Sequence, residues 1–259
     1  QNFIESMNDS RIKAHFLGAN YNAVTARNEG IRVCNGMYIN FLDDDDELLP
    51  EKIEKQLNVF NKSLKKPSIV GGFAEIYHKG KVIRLEKKEQ RGNVLLSHLH
   101  ENLITTSIGL FDANLVKKTE GFPDIPSSQE YLLTLKILNE NPIYDYVPEP
   151  VVRIHHHLGQ RLSTSPQKPE GAEVALDVVL KQINYFEAPI KKSIVTSHYM
   201  NIALSYASIK NRQKAKEYLG LIIHNAGFLN KRVLKLSLYI YLGPTLYNKL
   251  IKLKFRIIK

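Results

Sequence analysis

An α/β fold is predicted for residues 1–165 of this 259-residue chain, with an all-helical extension over 166–259, and three observations predict it. Strand-like runs alternate with helix-spaced runs as far as about residue 157, which is the pattern of a layered α/β domain. The apolar run from Met37 to Leu42 leads directly into Asp43-Asp44-Asp45-Asp46 and then into a helix. Beyond Ser163-Thr164-Ser165-Pro166, where Pro169 and Gly171 mark a linker, every apolar spacing is helical.

The elements follow in order. Ile12 to Leu17 alternates weakly and reads as a strand, and Tyr21 to Val33 reads as a helix opened by Asn22. After the Met37–Leu42 strand, Pro50 takes a first-turn position, and Ile53, Leu57 and Phe60 share one helical face. Ser68 to Tyr77 and Lys81 to Leu85 read as a hairpin through Lys79-Gly80, and Leu103 to Phe111 as a further strand. Ser127 to Asn139 has helical spacing behind a serine cap, and Ile143–Tyr146 and Val151–His155 read as two more strands. Tyr199 to Leu219, turning at Asn211, resembles one tetratricopeptide-style hairpin, which alone makes no solenoid and reads as a helical cap on the first domain.

Composition narrows the class. A hydrophobic content of 43% suits a globular chain with a sizeable core, and the single cysteine, Cys34, excludes an internal disulfide. That usage fits a reducing compartment, so the cytoplasm is the expected location. The chain opens on Gln1 with no basic and apolar leader pattern. The net charge of +10 concentrates at one end, since Asn230 to Lys259 holds eight basic residues and no acidic one. The remainder is close to neutral and lacks the aromatic and basic interleaving of a single-strand binding surface, so no nucleic-acid partner is expected. From Leu246 onwards, Leu246, Tyr247, Leu250, Ile251, Leu253, Ile257 and Ile258 fall opposite Lys249, Lys252, Arg256 and Lys259, with Lys254 the exception. An amphipathic basic helix of this kind suits an anionic membrane surface, and peripheral attachment to the inner face of the cell membrane is the expectation. The uncharged run from Leu236 to Asn248 is too short to span a bilayer.

The four aspartates carry the chemistry. Adjacent carboxylates about 4 Å apart repel by roughly 1 kcal/mol in water, and more when partly buried, so something positive must offset them. A solvated acidic loop is the plain alternative. This run, however, lies at the carboxyl end of a strand, where open α/β sheets place ligands, and a divalent cation against a diphosphate is the economical partner. A helix-loop-helix calcium site fails on spacing, because Leu48 stands where glycine is needed and Pro50 interrupts the loop.

Three segments then carry a specific resemblance. Ala26-Arg27-Asn28-Glu29-Gly30-Ile31, Gly36-Met37-Tyr38-Ile39-Asn40-Phe41-Leu42-Asp43-Asp44-Asp45-Asp46 and Pro50 resemble the family 2 glycosyltransferase pattern of an ARNxGI helix and a G-x-Y-I-x-F-L-D-x-D-D-x-x-x-P segment. Glu120-Gly121-Phe122-Pro123-Asp124 with Gln129-Glu130 is similar to that family's GGFDE and QD-x-DLWLRL block, and Val152 to Ser163 to its VRY-x-x-H-x-G-x-R-x-S segment. A weaker likeness, Asn102 to Phe111, matches a strand lining the acceptor side. The resemblance implies a GT-A fold, a Rossmann-like sheet with helices on both faces. It also implies an inverting, metal-dependent transfer of a sugar from a nucleoside diphosphate donor, a UDP-sugar by family habit, to a hydroxyl of a saccharide or lipid-linked acceptor, in cell-surface polysaccharide synthesis.

By the same resemblance Asp43, Asp45 and His157 would hold Mg2+ or Mn2+. Arg27, Asn28, Asp44, Arg161 and Ser163 would face the donor. Glu130 would be the general base, where the family has aspartate, and Leu133-Thr134 stands for the usual Leu-Trp. Three consecutive histidines, His155 to His157, also suggest zinc, but alternate strand residues face opposite sides and no cysteine accompanies them. The family's first strands, ending in P-x-Y-N and in an aspartate pair for the nucleobase and ribose, have no counterpart in this sequence. Poor donor binding by the chain in this form is therefore expected. The rival readings are a catalytically inactive sugar-nucleotide-binding protein and a membrane-surface scaffold.

Overall fold

The structure, a computed structural model, describes residues 6–7, 9–19, 21–155, 165–227 and 230–243. Its centre is a mixed sheet. Strands β1 (Tyr38–Ile39), β2 (Asp46–Leu48), β3 (Ile69–His78), β6 (Leu110–Asp112) and β7 (Ile143–His155) lie in the order β1-β6-β3-β7-β2, with β4 (Lys81–Glu86) on β3 and β5 (Gly92–Asn93) on β7. The β3–β7 pair is parallel, and the other pairs are antiparallel.

Helices cover both faces, because neighbouring strand residues point opposite ways. Ile69 and Phe111 enter one core with Val24 and Ile31 of α1 (Ala23–Val33), Val116 of α4 (Ala113–Lys118), and Leu133, Ile137 and Leu138 of α5 (Gln129–Glu140). Their neighbours Val70 and Leu110 enter the other, against Leu57 and Phe60 of α2 (Lys52–Lys62). Each such fully buried aliphatic contributes about 1.5–3 kcal/mol. β3 and β7 approach closely at Gly71-Gly72. A Cβ on Gly71 would lie 2.0 Å from the Tyr144 hydroxyl, and one on Gly72 would lie 2.6 Å from Val151.

The helical part holds α6 (Lys168–Gln182), a 3-10 turn (Ile183–Tyr185), α7 (Ala188–Ser208), α8 (Arg212–Ala226) and a further helix, α9, over residues 231–243. The α7–α8 hairpin turns at Asn211, whose side chain caps Lys214 N. Together with α6 and α9, this hairpin encloses a core of its own, built on Ile202, Ala203, Ala215, Leu219, Ile222, Val233 and Ile240. It also shares a core with the sheet part. Leu99 of α3 (Leu95–His100) and Tyr131, Leu132 and Leu135 of α5 pack with Ala175, Val179, Ile183 and Ile194.

Several elements differ from expectation. Residues 12–17 form no strand: Ile12 and Phe16 are exposed, and the run has no partner strand among the described residues. The expected Leu103–Phe111 strand shrinks to Leu110–Asp112, because Thr105 O accepts both Ile108 N and Gly109 N and folds the preceding residues into a turn. Ile143–Tyr146 and Val151–His155 are one strand, β7, whose pairing with β3 is irregular around Pro150. The Lys79-Gly80 hairpin is as expected, with both residues at positive φ. No helix among the described residues is long and apolar enough to cross a membrane, and the basic stretch from Leu246 lies outside them.

Candidate active site

The aspartate run begins as a loop and ends as a strand. Asp46 opens β2, which pairs with the end of β7 through Asp46 opposite Ile154. Its carboxylate is tied down at both oxygens, since Ser107 Oγ donates to Oδ2 at 2.9 Å and His155 N to Oδ1 at 3.3 Å. Burial raises the Asp46 carboxyl above the ordinary aspartate value, the Ser107 hydrogen bond opposes this, and the negative charges of Asp45 and Asp43 add to it. Asp43, Asp45 and Asp46 offer carboxylate oxygens within 4.8 Å of one another. Asp44 lies outside that cluster yet lines the same cleft.

Arg27, on α1, reaches Asp43 Oδ1 at 2.5 Å, and its guanidinium lies over the Phe122 ring at 5.4 Å. It supplies one positive charge to the acidic run, which the repulsion between these carboxylates demands. Asn28, one residue on, turns elsewhere. Its Nδ2 donates to Phe122 O at 2.9 Å and its Oδ1 accepts Phe122 N at 2.8 Å, so it clasps the Gly121-Phe122 turn to α1 and does not line the cleft.

Glu130 opens the first turn of α5, behind Ser128 at φ 64°. Thr106 Oγ1 donates to Glu130 Oε1 at 3.0 Å. Burial pushes the Glu130 carboxyl above the ordinary glutamate value; the Thr106 hydrogen bond and the nearby Arg27 charge pull it down, and Asp43 pushes it up. Such a carboxylate is more basic than one in water, which suits a proton acceptor. The turn at 105–108 therefore has a local purpose. One residue of it, Thr106, holds Glu130, and the next, Ser107, holds Asp46.

These groups share one cleft of about 1200 Å³, lined by Arg27, Asp43 to Asp46, Ser128, Glu130 and, further along, residues of α3, α7 and α9. His155 and Glu47 pair at 2.8 Å on the β7–β2 edge beside it. His157, Arg161 and Ser163 lie outside the described residues. Sequence reasoning missed Asp46 as a member of the carboxylate cluster and missed Thr106 and Ser107 as its supports. The consecutive hydroxyls Thr105-Thr106-Ser107 in an otherwise apolar run were the available signal.

The profile of glycosyl transferase family 2 matches residues 1–117. Those residues, a little under half of the chain, are similar to that family of enzymes. It is similar to uncharacterized glycosyltransferases of Rickettsia felis (34% identity over 127 residues, 46% of this chain and 21% of the relative) and of Haemophilus influenzae (27% over 202 residues, 76% and 74%). The chain thus spans less than two thirds of some relatives, 21% of the R. felis protein and 62% of one from Rickettsia typhi. Among solved structures it resembles S. aureus TarS 1-349 in complex with UDP-GlcNAc, with a TM-score of 0.65 at 14% identity, covering 100% of this chain and 79% of that one. At that identity the likeness establishes the fold, a GT-A sheet followed by helices.

Proposed function

We propose that this chain is the catalytic region of an inverting glycosyltransferase that moves a sugar from a UDP-sugar to a hydroxyl of a saccharide or lipid-linked acceptor. Residues 1–165 would form the GT-A part and 166–259 the helical part. One observation carries the reading: the Asp43, Asp45 and Asp46 cluster and the half-buried Glu130, its carboxyl raised above the ordinary glutamate value, face a single cleft. The capture of UDP-GlcNAc by TarS supports a nucleotide-sugar donor.

The residues present fit a hard divalent cation, since the cluster offers only carboxylate oxygens, the donor set that magnesium and manganese prefer. When bound, Mg2+ or Mn2+ would supply positive charge against the departing diphosphate. Asp45 and Asp43 would hold it, and Asp46, anchored to Ser107 and His155, would fix the loop geometry. Glu130 would take the proton of the acceptor hydroxyl as its oxygen forms a bond to the anomeric carbon and the bond to the diphosphate breaks. Thr106 holds the base in place, and Arg27 places a positive charge between base and aspartates.

The test is an assay of UDP release from a panel of UDP-sugars with Mn2+, run with and without glycan acceptors, and an analysis of the anomeric configuration of the product. Acceptor-dependent release with inversion supports the reading. No release with any donor, by a chain that binds Mn2+ and UDP, favours instead a sugar-nucleotide-binding protein without activity.

A further inference from the structure

The cleft does not end at Glu130. It continues between α3 and the helical part, past Asn102 and Ser97 on one side and Ser193, Ser197 and Asn201 on the other. The last three are four residues apart and form one stripe along α7. Lys168, the first residue of α6, and Arg232, on α9, line the same wall.

Lys168 is half-buried, and no ion pair or side-chain hydrogen bond engages its ammonium among the described residues. Burial alone lowers its pKa, and no nearby carboxylate restores it. Among the described residues, the acidic residue that lines the far part of the cleft, Glu101, is committed to Lys88 at 3.4 Å. Arg232 likewise has no carboxylate partner among the described residues, its backbone N–H alone being held, by Asn230. Two cations on different helices thus face one cleft with no carboxylate partner among the described residues. Taking an ammonium partly out of water costs free energy that an anionic ligand group would recover.

Lys168 is also held in place. Ser127 Oγ donates to its carbonyl at 2.8 Å, three residues before Glu130, which couples this wall to the loop carrying the base. Its ammonium makes no ion pair with the aspartate cluster among the described residues.

We infer that the helical part forms the far wall of the acceptor site and that Lys168, with Arg232 beyond it, receives an anionic group, a phosphate or a carboxylate, carried by the acceptor. The α7 stripe would hydrogen-bond the neighbouring sugar hydroxyls. This inference rests on the glycosyltransferase reading and names its acceptor class.

The test uses the full chain and three small probes: methyl β-glucoside, methyl β-glucuronide and glucose 6-phosphate. Binding is followed by saturation-transfer NMR and, in parallel, UDP with Mn2+ is titrated by calorimetry. Both anionic probes are expected to bind at least about tenfold more tightly than the neutral one, with the preference lost in Lys168→Met and kept in Lys168→Arg. A glucuronide preference without a phosphate preference, or the reverse, identifies which anion the site takes and sustains the inference. Equal binding of neutral and anionic probes overturns it, as does an anionic preference that survives Lys168→Met. Loss of UDP binding in Lys168→Met in step with the probes also overturns it, by assigning the lysine to the donor. Failure of Mn2+ to bind at the aspartate cluster while the anionic preference stands would instead count against the enzymatic reading.

Discussion

Replacing Gly171 by alanine should slow the reaction without unfolding the protein. Gly171 lies in the first turn of α6, and a Cβ there would sit 2.3 Å from Ser127 Oγ, 2.4 Å from Ser127 N and 2.5 Å from Ser127 O. Ordinary carbon contacts begin near 3.4 Å, so the 127 segment must retreat by about 1 Å. Backbone atoms cannot swing away as a side-chain tip can. That segment leads through Ser128, already at φ 64°, into Glu130, so the base moves with it. An overpacked contact costs about 1–3 kcal/mol, offset by the gain of about 1 kcal/mol when alanine replaces glycine in a helix. The net stability change is therefore small. A misplacement of about 1 Å can nevertheless cost on the order of 100-fold in rate. The expected result is a fall in kcat of roughly 10- to 100-fold with Tm within a few degrees and unchanged UDP affinity. Wild-type kcat and Tm together in Gly171→Ala would refute the claim that α6 positions the base.

Glu130→Gln should lower kcat by about 100- to 10,000-fold, the usual worth of a general base, with donor binding intact by calorimetry. Because burial raises the Glu130 pKa, its ionised form destabilises the fold, a contribution absent below the unfolded value and complete once the pH exceeds the folded one. Glu130→Gln should therefore melt higher than wild type at pH 8 and by less at pH 4, and kcat of the wild type should fall as acid protonates Glu130 at a pH above the ordinary glutamate range. Lys52 is only 1% exposed, donates to Gln56 Oε1 at 2.9 Å and is pushed by burial down to about 7. The unfolded chain binds more protons between pH 7 and 10, so Tm should climb across that window, by up to about 1.4 kcal/mol of stability per pH unit, and the slope should vanish in Lys52→Met on differential scanning calorimetry. Asp45→Ala should weaken Mn2+ binding by at least tenfold in a spin-resonance titration, whereas Ser107→Ala should cost about 1–3 kcal/mol by leaving Asp46 half-satisfied.

The first helix, the β3–β4 hairpin and the α7–α8 turn were legible because local signals decide them. Asn22 caps Thr25 N, Lys79-Gly80 takes positive φ, and Asn211 caps Lys214 N. The aspartate run was legible because its repulsion demands a partner. What the sequence hid was long-range. Nothing local reveals that Arg27 answers Asp43, that Asn28 spends its amide on Phe122, or that Leu103–Phe111 breaks at Thr105 to carry Thr106 to Glu130. Residues 12–17 alternate weakly, yet alternation makes a strand only where a neighbouring strand takes up its hydrogen bonds. Short α3 and α4 escaped because six residues are too few for a period to register, although Asp112 caps α4.

The shared core beneath α5 carries a practical consequence for anyone trimming this protein. His98 stacks on Tyr131, whose ring also meets His198 edge-on, and His198 bonds the Leu99 carbonyl at 2.9 Å, so three buried rings rivet α3, α5 and α7 together. Cutting the polypeptide after residue 165 would strip Ala175, Val179, Ile183 and Ile194 from Leu99, Tyr131 and Leu135 and leave a greasy scar on the fragment. Such a piece should precipitate on expression, and a crystallographer seeking a minimal sheet would do better to soften the scar with polar substitutions than to move the cut site.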